Sequence, residues 1–315
     1  KRRAYQKKVA IAPFDGIFSA HGMVLRPRED VIDKSFFPLF ISSDYFLDAA
    51  IKISVGSLSP TINWRDLKTL EFELPDLATQ RKLAETLWSI NDTMETYKKL
   101  IAATDELVKS QFMELFGDPV TNTQGREVRP FKDFMLDIRY GTSQPPTFNE
   151  LGEFKFIRAT NIKAGRITEN GMLRISADEA AKIEKCRLNG NEIIIVRSGA
   201  NTGDTCVVTD EYRDQYAGYD IIVTLNLEIA NPVFFNELMN THYMQAIIKP
   251  LTVRAAQPHI NSEQVQNLPM LVVPLQEQEQ FATFVRQSDK SKFELEKALS
   301  ELTATYKRII AENLG

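Results

Sequence analysis

Residues Ser59-Pro60-Thr61-Ile62-Asn63 recur 198 positions later as Gln257-Pro258-His259-Ile260-Asn261. Self-similarity at a fixed offset restricts the chain to folds built from two related halves. After each copy comes a short apolar segment ending in proline, Leu70 to Pro75 and Leu268 to Pro274, and then a polar, Gln-containing start to a long helical pattern. In the first pattern apolar residues fall at Leu83, Leu87, Ile90, Met94, Tyr97, Ile101, Val108 and Leu115, with Thr104 filling one step. The steps alternate four and three as far as Val108, the seam of a coiled coil. The same offset gives Phe281, Val285, Ser288, Lys292, Leu295, Leu299, Leu302, Tyr306 and Asn313, where Ser288, Lys292 and Asn313 break the stripe. Each pattern lasts roughly 35–40 residues, a helix of about 50–60 Å at 1.5 Å per residue. A helix that long with one apolar stripe needs a partner. Its own repeat, packed antiparallel, is the simplest one.

The first helix has a clear stop in Phe116-Gly117-Asp118-Pro119, a glycine followed by a proline that cannot continue it. A polar stretch over 120–126 marks a boundary, and a second globular region runs to Pro274. Phe154 to Ile157, Glu192 to Val196 and Ile221 to Leu225 read as strands, separated by glycine-containing turns such as Arg197-Ser198-Gly199-Ala200-Asn201-Thr202-Gly203-Asp204. Asn231-Pro232 opens a helical stretch through Met244. Phe36-Phe37-Pro38-Leu39-Phe40 holds the comparable place in the first half, which has only about 75 residues before its helix against roughly 150 in the second. The expected organisation is therefore a first globular part over 1–75, a long helix over 76–117, a second globular part over 118–274 and a second long helix over 275–315. The expected fold class is α/β (α+β), with short strands and helices joined by two long antiparallel coiled-coil helices.

With 43% hydrophobic and 25% charged residues the chain has the composition of a globular protein. No run of eighteen apolar residues occurs, so no membrane partner is expected. The basic start Lys1-Arg2-Arg3 is not followed by a long apolar segment. Two cysteines, Cys186 and Cys206, read as free thiols in a reducing cytoplasm, and three histidines give no zinc-site spacing. A formal charge of −4 argues against coating of nucleic acid by bulk charge, so any nucleic-acid binding would have to come from local clusters or from partners.

This alternation of globular part, long helix, globular part and long helix resembles the specificity subunit of type I restriction–modification systems. The segment Asn191 to Val208, Gln257-Pro258-His259-Ile260-Asn261 with Leu268-Pro269, and Pro274-Leu275-Gln276-Glu277-Gln278 are similar to that family's target-recognition domains. Phe112-Met113-Glu114-Leu115-Phe116-Gly117-Asp118-Pro119 resembles a common ending of its central helix. The resemblance implies a non-catalytic subunit that reads a bipartite double-stranded DNA target. It implies two methyltransferase subunits and restriction subunits as partners, which would use S-adenosylmethionine, ATP and Mg. No cofactor would be held by this chain.

Side chains that read bases carry paired donors and acceptors on loops. Four clusters fit: Tyr140, Thr142, Ser143 and Gln144; Arg158 and Asn161; Arg197, Ser198 and Asn201; Arg254, Gln257 and His259. Asn63 and Asn261 suit helix capping better. Lys1, Arg2, Arg3, Lys7 and Lys8 form the densest basic cluster for phosphate contact. Two other functions compete. Asp137, Glu153 and Lys155 imitate a metal-dependent nuclease, although alternation along a strand also produces such a trio. A structural coiled-coil scaffold is the other. Asn231-Pro232-Val233-Phe234 approaches an adenine-methyltransferase motif but has Val in place of its second proline. Gly199 and Gly203 lack the Lys-Ser/Thr of an ATP-binding loop.

Overall fold

The computed structural model describes residues 3–314 apart from 20, 57–58, 119–120, 123 and 253–257. The chain divides into two compact units, the first Lys1–Ala103 with Lys292–Gly315, the second Thr104–Ser291. Helices α1 (Phe37–Ser42), α2 (Asp44–Lys52) and α3 (Trp64–Leu67) lie in the first. The long helix α4 (Leu77–Phe116) begins there and ends in the second unit. Asp76 starts it by accepting the backbone N–H groups of Ala78 and Thr79 at 2.9 and 3.0 Å, which holds its carboxyl below the usual carboxylate range.

The second unit contains β1 (Val128–Pro130), β2 (Met135–Tyr140), β3 (Phe154–Ile157), β4 (Ile162–Lys163), β5 (Arg166–Ile167), β6 (Leu173–Ile175) and α5 (Ala177–Lys182). Then come β7 (Ile193–Ile195), β8 (Thr205–Val207), β9 (Tyr216–Ala217), β10 (Ile221–Leu225), α6 (Pro232–Asn240), α7 (His242–Thr252), α8 (Ser262–Gln266) and β11 (Pro269–Leu271). The long helix α9 (Leu275–Leu314) starts in this unit and ends in the first. The central sheet is antiparallel in the order β2-β10-β7-β8. A second sheet, β6-β3-β9, pairs β3 and β9 in parallel. One face of the central sheet, through Ile193, Ile195, Ile221 and Val223, shares a core with Phe235, Leu238 and Met239 of α6 and Met244 and Ile248 of α7.

The two long helices pack antiparallel within each unit. In the first, Leu83, Ala84, Leu87 and Trp88 near the start of α4 meet Tyr306, Ile309, Ile310 and Leu314 at the end of α9. In the second, Val108, Phe112 and Phe116 at the end of α4 meet Phe281 and Val285 at the start of α9. Leu115 does not continue the seam as the spacing suggests. It is 43% exposed, because beyond Val108 the buried positions step by four to Phe112 and Phe116. Likewise Asn313 is exposed and Leu314 buried, whereas Ser288 and Lys292 are buried despite their polarity.

Two buried polar side chains of the repeat are matched bond by bond. Gln80, early in α4, is buried: its Nε2 donates to the carbonyls of Pro75 and Val31, and its Oε1 accepts the N–H of Asp33. Gln278, 198 positions on, is buried in the same way, donating to Val273 and Ile229 and accepting from Asn231. Every partner is displaced by the same offset. Ser43 and Thr241 form a second such pair. Each hydroxyl donates to the carbonyl three residues back, Phe40 or Leu238, and accepts the N–H three residues on, Phe46 or Met244. Thr241 thereby splits the single helical stretch read from the sequence into α6 and α7.

The halves differ in what covers the helices. Phe235, Met239, Met244, Val265, Leu268 and Met270 are enclosed in the second unit's core. Their counterparts Phe37, Ile41, Phe46, Leu67, Leu70 and Phe72 line an open cavity of about 630 Å³ in the first.

Candidate nucleic-acid interface

Strand register gathers the candidate loops at one end of the central sheet. Ile221 of β10 pairs with Tyr140 of β2 and with Ile195 of β7, and Ile195 pairs with Thr205 of β8. The chain therefore leaves β2 and β7, and enters β10 and β8, at the same edge. Backbone closeness tightens this edge: Gly141 lies so near Gly218 that a Cβ on it would sit 1.6 Å from the Gly218 carbonyl oxygen. Gly218 in turn donates its N–H to Ile157, joining the end of β3 to the group.

Arg197 is the centre of this arrangement. Its guanidinium carbon lies over the rings of Tyr140 and Tyr219, 4.3 and 4.4 Å from their centroids. Such contacts are worth about 0.5–2 kcal/mol each, rising as water is removed. Arg197 Nε donates to His259 Nε2 at 3.3 Å, which assigns the lone pair to that histidine nitrogen. Its backbone N–H donates to the buried carboxylate of Asp220 at 3.0 Å, and its carbonyl accepts from Ile260. Burial pushes Asp220 up to about 6, with the Arg197 N–H and charge opposing the rise. Tyr140 is fixed at its far end, its hydroxyl donating to Ser262 Oγ and accepting from Ser262 N–H, both at 2.9 Å.

The remaining candidates divide into those that face outward and those that build the loops. Ser143 and Gln144 are exposed, on a turn in which Thr142 Oγ1 bonds the Gln144 backbone. Ser198 Oγ reaches the Pro258 carbonyl at 3.4 Å, and Ser198 is bridged to His259. Asn201 donates to the Ala159 carbonyl, linking the third cluster to the second. Arg158 turns back on its own loop through the Gly171 carbonyl at 2.8 Å. Asn161 has no exposed surface and spends its amide on Arg158, Thr168 and Asn170, so it shapes the loop and cannot face a ligand. Arg254 and Gln257 lie outside the described residues, as do Lys1 and Arg2. Lys7 is engaged by Asp44 and Asp48 and not left open for phosphate. Asn261 caps α8 with its side chain, while Asn63 holds the matching position before α3 without such a bond.

The nuclease-like trio does not converge. Asp137 stands in the central sheet and Lys155 in the second sheet. Lys155 pairs with Glu169 and Glu211, and Glu153 accepts the N–H of Ala177. Asn231 of the methyltransferase-like segment caps α6 through Val233 and Phe234. Cys186 and Cys206 are buried thiols whose pKa burial pushes up. No helix among the described residues is long and apolar enough to cross a membrane.

A family model described as the type I restriction modification DNA specificity domain matches residues 1–104 and 127–303. This chain belongs to that family. It is similar to the specificity subunit of the EcoKI type I restriction enzyme from Escherichia coli K12, with 20% identity over 324 residues, 95% of this chain and 68% of the relative. The EcoDI specificity subunit of Escherichia coli is 30% identical over 125 residues, 38% of this chain and 28% of that protein. Among solved structures, the S subunit of a type I restriction–modification system from M. genitalium has the same fold. It superposes with a TM-score of 0.62 at 16% identity, covering 91% of this chain and 74% of that one.

As a type I specificity subunit, the chain has one site component that the sequence reading missed. Tyr219 is 43% exposed and stacked on Arg197, and Asp220 beneath it anchors the loop. The available signal was position: Gly218-Tyr219-Asp220 immediately precedes the run Ile221 to Leu225 already recognised as a strand.

Proposed function

We propose that this chain reads double-stranded DNA for a type I restriction–modification complex, with residues 118–274 as one complete recognition domain and residues 1–75 contributing to another. The two recognition parts read a bipartite target, and the paired helices set the interval between its halves. Methyltransferase and restriction subunits dock on the chain and carry the chemistry, with S-adenosylmethionine, ATP and Mg bound by them. The observation that carries this reading is the convergence of loops at one end of the central sheet around an aromatic-flanked arginine, in a chain of the specificity family. Loops with Arg, Asn, Gln and Ser at a strand mouth supply the donors and acceptors that base edges require. A nuclease on Asp137, Glu153 and Lys155 is disfavoured by their separation into two sheets and by the partners Lys155 already has.

Exchange of residues 118–274 for the corresponding region of a relative tests the reading. In cells carrying the chain with its methyltransferase, the adenine-methylated sequence is expected to change in one half and stay constant in the other. An unchanged methylation pattern would make the chain a scaffold.

A further inference from the structure

Resting on the proposal that this chain reads DNA, we infer that Arg197 reads a guanine in the major groove, so that the half-site of the second recognition domain contains a G·C pair contacted there. Five contacts hold this residue before any ligand arrives. Its N–H is held by Asp220 and its carbonyl by Ile260, so the loop backbone cannot shift. The rings of Tyr140 and Tyr219 cover its guanidinium at 4.3 and 4.4 Å, and Tyr140 is itself tied to Ser262. His259 Nε2 accepts a hydrogen bond from the Arg197 Nε–H at 3.3 Å. What remains is the terminal fork of two nitrogens, for which the described residues offer no hydrogen-bond acceptor.

A planar, always-charged fork of two N–H donors matches a pair of adjacent acceptors. Guanine presents such a pair, N7 and O6, on its major-groove edge. Adenine offers one acceptor and one donor there, and cytosine a donor, so both leave part of the fork facing another N–H. Phosphate also accepts a fork. The preference for a base edge rests on restraint: a phosphate contact needs only charge, which an unrestrained surface lysine supplies, whereas this guanidinium has its plane set by two rings. Tyr219, being exposed beside it, extends an aromatic surface toward the same ligand.

The test begins with selection by the full chain from a duplex library with randomised positions, followed by binding measurements on the selected duplex. Each guanine is replaced in turn by 7-deazaguanine, which lacks the N7 acceptor and leaves Watson–Crick pairing intact. At one position, wild-type affinity is expected to fall about 10-fold. Arg197→Lys keeps the charge beside Asp220 and loses the fork. It is expected to bind the selected duplex about 10- to 100-fold more weakly and to be indifferent to 7-deazaguanine at that position. Loss of affinity by Arg197→Lys to the same extent on every duplex, or wild-type indifference to 7-deazaguanine everywhere, would assign Arg197 to phosphate and overturn the inference while leaving sequence reading intact. Failure of the wild type to select any sequence would remove the reading itself, and this inference with it.

Discussion

A glutamine one turn into each long helix carries more of the architecture than its type suggests. Gln80 and Gln278 each tie two loops together: Nε2 donates to a carbonyl just before their own helix and to one in the loop before α1 or α6, and Oε1 accepts an N–H from that same loop. Because the sites are buried, removing the amide leaves two carbonyls and one N–H without water to replace it. An unpaired buried group costs about 1–3 kcal/mol, so Gln278→Leu is expected to lose on the order of 3 kcal/mol. Gln80→Leu should lose a similar amount. Denaturant unfolding of the full chain measures both, and a loss below 1 kcal/mol would mean that the loops find other partners. A glutamine's identity in the sequence says only that it is polar. That it is a latch, and not a solvated surface residue, depends on carbonyls 5 and 49 residues away, and only the folded loops reveal them.

Elements with a period were legible and junctions between elements were not. The heptad spacing gave both long helices and their antiparallel pairing, because an apolar stripe on a long helix has few other ways to be buried. The strands Phe154–Ile157 and Ile221–Leu225 were equally plain, being short apolar runs bounded by turn residues. The change from alternating steps to steps of four beyond Val108 was hidden, because it follows from Phe112 and Phe116 turning toward Phe234, a residue from the other side of the sequence. Of the site, the four clusters were visible as polar loops, but which of them meet was set by strand register. Asn161 shows the limit: its chemistry suits a base edge, and its burial forbids one. One junction has a measurable consequence. Glu237 of α6 keeps some exposure as a residue, yet its carboxyl is desolvated near Asp289 of α9 and Asp105 of α4, with Arg166 of β5 and Asn236 opposing, and it is pushed up to about 7. Arg166 is itself paired with Asp289. Between the ordinary glutamate value near 4.5 and about 7, the folded chain holds a proton that the unfolded chain has released. Stability therefore falls as pH rises through that window. Glu237→Gln should remove this contribution, so that the variant gains on the wild type between pH 5 and 8 by thermal unfolding. Parallel pH profiles for the two proteins would show that the carboxyl titrates normally.

At the scale of the whole molecule the question is how a chain with 38 basic and 42 acidic side chains holds a polyanion. In the second unit half of the described cations, nine of eighteen, already have carboxylate partners. Arg126 pairs with Glu277, Arg139 with Glu192, Lys155 with Glu169 and Glu211, and Arg187 with Glu184 and Asp214. Arg139 is held by two bonds to the buried Glu192 and stays paired, whereas exposed pairs such as Arg187 with Glu184 and Asp214 are worth about 0–1 kcal/mol and could be exchanged for phosphate. Each exchange, however, leaves a carboxylate beside the DNA, and that repulsion cancels much of the gain. With 42 acidic against 38 basic side chains, the chain alone should neutralise few phosphates, and its contribution to binding should be dominated by base edges. Because log K falls with log salt in proportion to the phosphates neutralised, two or three contacts imply a slope of about −2 to −3 for the full chain. Addition of the methyltransferase partners should steepen the slope, since in this scheme they supply the positive track along the backbone and the chain supplies the address. Titration of a selected duplex at a series of salt concentrations, with and without the partner, separates the two contributions. A slope of −6 or steeper for the chain alone would mean that its ion pairs open on DNA, and that affinity and specificity reside in the same polypeptide.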